Sequence, residues 1–94
     1  MPVVKLYANL RKLAGTKELP ITGGTIRAVL GELAGLHPLV GDLILADGKL
    51  RQHIVVTLNG HNILDLETPV TEQDSIAVFP PIAGGADRSS DFNR

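Results

Sequence analysis

Ninety-four residues, 44% of them hydrophobic and 20% charged, suffice for one domain with one core and are too few for two. Nine lysines and arginines against ten acids give a formal charge of -1 with no basic cluster, which argues against nucleic-acid binding. The absence of cysteine excludes disulfides, thiolate metal sites and carrier chemistry on a thiol side chain.

No run approaches a membrane span, and Met1 to Leu6 has neither the charged start nor the apolar stretch of a signal peptide. A cytoplasmic protein without a membrane partner is the expectation. One tyrosine, two phenylalanines and no tryptophan predict a core built from Leu, Val, Ile and Ala.

Val3 to Leu10 alternates, which predicts a strand with Val4, Leu6 and Ala8 inward and Val3, Lys5 and Tyr7 outward. Arg11 to Thr16 reads as a polar connection closed by a glycine. Lys17 to Ile21 then returns as the second strand of a hairpin, with Pro20 marking an edge. After Gly23-Gly24, Thr25 is an N-cap for a helix whose apolar stripe is Ile26, Val29, Leu30 and Leu33. Gly35 and Pro38 mark its end, and Gly31 within it costs up to about 1 kcal/mol relative to alanine. Leu39 to Leu45 reads as a short helical segment or a covering loop.

Asp47-Gly48 signals a turn, and the β-branched run His53 to Leu58 a strand. Asn59-Gly60 is the strongest short hairpin signal, with His61 to Leu64 returning. Leu66 to Asp74 reads as a loop with a turn at Thr68-Pro69. Ser75 to Phe79 is the last strand, with Ile76 and Val78 on one side and Ala77 and Phe79 on the other. This order predicts an α+β domain in which one amphipathic helix covers one face of a mixed sheet and the other face is largely solvated.

Phe79-Pro80-Pro81-Ile82-Ala83-Gly84-Gly85 is the candidate functional stretch. The prolines fix φ and donate no hydrogen bond, so the chain is expected to leave its last strand there and project outward. Gly84-Gly85 can pass extended through a channel too narrow for a Cβ, although a lone glycine pair is more often a turn or linker. Ala86 to Arg94 has one large apolar residue in nine, a composition that predicts a disordered tail.

These pieces together resemble the β-grasp sulfur carriers that include ThiS and the MoaD-type small subunit of molybdopterin synthase, relatives of ubiquitin. The resemblance covers residues 3 to 85. It rests on Leu6-Tyr7-Ala8-Asn9-Leu10-Arg11, Gly24-Thr25-Ile26, His37-Pro38-Leu39 and Gly48 to His53. Val56 to Gly60, the Glu67-Thr68-Pro69-Val70 loop ending at Asp74, and Phe79 to Gly85 complete it. It implies a single-domain β-grasp fold, a mixed sheet of four to five strands packed on one main helix with a protruding diglycine arm over residues 1 to 85. Of the family, it is most similar to the molybdopterin synthase small subunit.

The resemblance also implies a mechanism. A MoeB- or ThiF-like activating enzyme uses ATP to adenylate the carboxylate of the last glycine, and the acyl-adenylate becomes a thiocarboxylate that donates sulfur in molybdopterin biosynthesis. No cofactor is expected on the chain itself, which acts as a carrier and not an enzyme, beside a large synthase subunit or another acceptor enzyme. Here nine residues follow the diglycine. Gly85 therefore acquires a carboxylate only if residues 86 to 94 are removed by cleavage between Gly85 and Ala86, by a protease such as the zinc-dependent JAMM type.

Other readings share these residues. A ubiquitin-like modifier would be joined through Gly85 to lysines of target proteins; a carrier could serve cysteine, thiamine or transfer-RNA thiolation; a binding module would use the glycines only as a linker. The candidate partner-binding residues are Tyr7 and Phe79, expected side by side on the open face, with Arg11, Pro80, Pro81 and Ile82. His37, His53 and His61 lack metal-ligand spacing, so no metal site is expected. Asp65, Glu67, Glu72 and Asp74 read as a solvated acidic loop.

Overall fold

The structure, a computed structural model, describes residues 1–81. Ten elements follow in order: β1 (Val3–Leu6), α1 (Asn9–Ala14), β2 (Glu18–Pro20), α2 (Ile26–Leu36), α3 (Pro38–Ile44), β3 (Leu45–Ala46), β4 (Lys49–Leu50), β5 (Val55–Leu58), β6 (His61–Asn62) and β7 (Ser75–Phe79). The main sheet runs β2-β1-β7-β5-β6, with β1 and β7 parallel and the other pairings antiparallel. The last strand is therefore the middle one, and the expected edge strand carrying Pro20 is at one margin. This is the mixed-sheet β-grasp architecture.

The strand period of two divides the sheet faces. Val4, Leu6, Val56, Ile76 and Val78 are buried and meet Ile26, Val29, Leu30 and Leu33 from α2. Among the described residues no aromatic side chain joins the buried set. Thr25 caps α2 as its spacing predicts, its hydroxyl accepting a hydrogen bond from the Ala28 amide at 3.1 Å. The loop before β7 closes the bottom of the core with Leu66 and Val70, and Pro69 bridges to Thr25.

Several expectations change. The first strand stops at Leu6, since Ala8 takes φ 54° and ψ -130° and is exposed instead of inward. Arg11 to Ala14, read as a connection, belongs to α1, whose Leu10 is buried beside α3. Helix α2 continues through Gly35 to Leu36, and Pro38 begins α3 instead of merely following a helix. Pro has no N–H and a preset φ, which suits the first turn of a new helix. Gly41 lets α3 lie against α2: a Cβ there would stand 2.5 Å from the Ala34 Cβ. The β3–β4 hairpin forms a separate two-stranded sheet around Asp47-Gly48. Strand β5 starts at Val55, two residues later than the β-branched run suggests, because His53 has φ 69°.

The Asn59-Gly60 turn has φ 51° and 87°, the geometry of a type I′ hairpin that glycine adopts without strain. Its asparagine does a second job. The Asn59 amide donates to the Ser75 carbonyl at 2.7 Å, the side-chain oxygen accepts from the Ser75 amide at 2.9 Å, and Nδ2 donates to Asp74 at 2.9 Å. The start of β7 is thereby fixed to the β5–β6 turn, which sets the register of the strand that delivers Phe79.

Candidate functional site

Parallel pairing of β1 with β7 sets Leu6 beside Val78, and one step further Tyr7 meets Phe79. Their rings stack with centroids 4.5 Å apart and planes 12° from parallel. Tyr7 remains 39% exposed, so the pair is a surface feature at the top of the open face. Val55 lies opposite Phe79 in the antiparallel register and is 40% exposed. On the far side of β5 the Ile63 amide donates to Val56, and the next residue, Leu64, is 96% exposed. Tyr7, Phe79 and Val55 thus form an apolar row across three strands, continued toward Leu64. Val55 and Leu64 are the residues sequence reasoning did not place there, although their strand parity carried the signal.

Pro80 is half-buried and Pro81 exposed, so the chain departs from the central strand next to the aromatic pair. Ile82, the diglycine Gly84-Gly85 and Ala86 lie outside the described residues.

Arg11 does not extend the first strand. It sits on α1, yet it still reaches the same region: Lys5, Leu6, Tyr7, Arg11, Lys17 and Glu18 surround a cleft of about 230 Å³. Lys17 is held there because its carbonyl accepts the Leu6 amide at 2.8 Å.

The acidic loop is engaged internally. Asp65 accepts the Glu67 amide at 2.9 Å, and Glu67 pairs with Arg27 at 2.5 Å. Asp74 accepts the Thr71 amide at 2.8 Å as well as Asn59, and these bonds, the Thr71 amide foremost, hold its carboxyl below the ordinary value of 3.8. Those carboxylates organise the turn that leads into β7. The three histidines stand apart, at the α2–α3 junction, before β5 and on β6.

Comparison with known proteins is consistent along nearly the whole chain. It is 33% identical over 85 residues to Small archaeal modifier protein 1 of Haloferax volcanii, spanning 86% of this chain and 97% of that one. It is 31% identical over 84 residues to the molybdopterin synthase sulfur carrier subunit of Escherichia coli, spanning 87% and 96%. The solution structure of small archaeal modifier protein 1 from Methanosarcina acetivorans matches with a TM-score of 0.81 at 36% identity, over 89% of this chain and 95% of that one. The ThiS family matches residues 4–85, a span that runs from the second residue of β1 through β7 and ends on the second glycine of the pair. With its β-grasp sheet matched over this span, the chain belongs to the ThiS family of ubiquitin-like sulfur carriers.

Proposed function

We propose that this chain carries sulfur as a thiocarboxylate on Gly85, after cleavage of the Gly85–Ala86 bond. The observation that supports this most is the family match, which stops at Gly85 although nine residues follow. A carboxylate is a poor electrophile. In the proposed sequence its oxygen attacks the α-phosphorus of ATP in a partner activating enzyme and pyrophosphate leaves. Hydrosulfide then attacks the acyl carbon, AMP leaves, and the sulfur remains on the carbonyl. The stacked Tyr7–Phe79 pair and its apolar row are the surface on which the activating and acceptor enzymes dock, with Arg11, Pro80 and Pro81 at its margin and Ile82 next in the sequence as a further contact. The acceptor in this reading is a molybdopterin precursor bound to a large synthase subunit, supported by the similarity over 87% of this chain to a sulfur carrier subunit of such a synthase.

A second reading is favoured by the identities of 33% and 36% to small archaeal modifier proteins: conjugation of Gly85 to lysines of other proteins. Both readings use the adenylate, and the product separates them. With activating enzyme, ATP and sulfide, the carrier gains the mass difference of sulfur for oxygen at its C-terminus. A modifier instead yields high-mass conjugates that disappear in a Gly85-deleted chain. If neither product forms from a chain ending at Gly85, the proposal is wrong.

A further inference from the structure

We propose that the cleft beside Tyr7 receives an acidic side chain of the protein that docks on the open face, so that the partner presents an apolar centre flanked by carboxylates. This rests on the docking role given to that face above, and not on the sulfur chemistry.

The charge arrangement carries the argument. Three cations, Lys5, Arg11 and Lys17, line the cleft against a single acid, Glu18, in a chain whose formal charge is -1. Among the described residues none of the three is within salt-bridge distance of a carboxylate, and Arg27 with Glu67 forms the ion pair that is seen. Glu18 lies opposite Lys5 in the β1–β2 register but does not close on it. Elsewhere Asp65 and Asp74 are taken up by backbone amides of their own loop and Glu67 by Arg27 of α2. Strand β1, helix α1 and the turn that leads into β2 converge to gather positive charge beside the apolar row.

Size and surroundings select the occupant. A volume of about 230 Å³ suits one side chain and falls below the range of roughly 300–1,000 Å³ usual for small-molecule pockets. An isolated anion would leave the adjoining Tyr7, Phe79 and Val55 uncovered, whereas a protein surface satisfies both the charges and the row. Charges at the margin of an interface act mainly on association rate and partner choice, and their effect is screened over about 10 Å at 0.1 M salt.

The test uses the full isotope-labelled chain and two capped tripeptides, one with leucine between two glutamates and one with leucine between two glutamines. At low salt the acidic peptide is expected to shift the amides of Lys5, Tyr7, Arg11, Lys17 and Phe79 together. Its affinity should fall roughly tenfold for Lys5→Glu/Lys17→Glu, less for the milder Lys17→Gln, and not at all for Lys49→Glu on β4. Equal shifts with the glutamine peptide, or shifts spread evenly over Lys12 and Lys49, would overturn the inference. Adenylate formation on a chain ending at Gly85 is read separately. A chain that is activated normally but ignores the acidic peptide keeps its carrier function and loses this cleft; one that binds the peptide but is never activated does the reverse.

Discussion

The Tyr7 and Phe79 rings join β1 to the end of β7 where the chain leaves the sheet, so their contact serves both stability and presentation. Stacked pairs contribute roughly 0.5–1.5 kcal/mol beyond the area they cover. With centroids at 4.5 Å and planes 12° apart, this pair sits at the close end of the favourable range, which sets the expected coupling at about 1 kcal/mol. Tyr7→Ala and Phe79→Ala are each expected to cost about 1–2 kcal/mol, below the 3–5 kcal/mol of a fully buried aromatic, because both rings are partly exposed. Urea unfolding of the two single variants and the double variant closes the cycle. Sites without contact add within about 0.3–0.5 kcal/mol, so a coupling under about 0.3 kcal/mol refutes the stacked contact. In activation assays the same variants, still folded, should raise KM for the activating enzyme with kcat little changed, since the proposed docking role puts the rings at the partner surface and not at the reacting carbonyl.

Two of the helix glycines, Gly31 and Gly41, predict opposite outcomes for one substitution. Gly31→Ala, with open space where its Cβ would go, should stabilise by up to about 1 kcal/mol in chemical denaturation. Gly41→Ala gains the same propensity but forces a Cβ to 2.5 Å from that of Ala34, and overpacking of about 1–3 kcal/mol should leave it destabilised; a stabilised Gly41→Ala would contradict the α2–α3 contact. Asp74, whose folded pKa is depressed, contributes stability that is present above its unfolded value of 3.8 and is lost as pH falls through the lower folded value. Thermal unfolding followed from pH 6 downward should therefore show the wild type losing more stability below about pH 4 than Asp74→Asn, which starts lower; parallel curves would remove Asp74 from that role.

The sheet was legible because β-branched alternation and the Asn59-Gly60 turn fix both period and register, and the helix because Thr25 and four apolar positions agree. Helix α1 was not. Its six residues bury only Leu10, with Ala14 packed against the core's margin, and what starts it is the backbone at Ala8, a conformation that no side-chain pattern announces. Strand β5 was overextended for a similar reason: His53 has an unremarkable side chain and a left-handed backbone. The aromatic pair followed from strand parity once the first and last strands were neighbours. The cleft did not, because Lys5, Arg11 and Lys17 meet only when α1 and the edge strand fold back beside β1.

The claim that matters most is that Gly85 bears the reactive carboxyl. Intact mass of the protein purified from its native cell tests it most directly. A species ending at Gly85, part of it heavier by the exchange of oxygen for sulfur, is the predicted result. Finding only the form that retains Ala86 to Arg94 would contradict it.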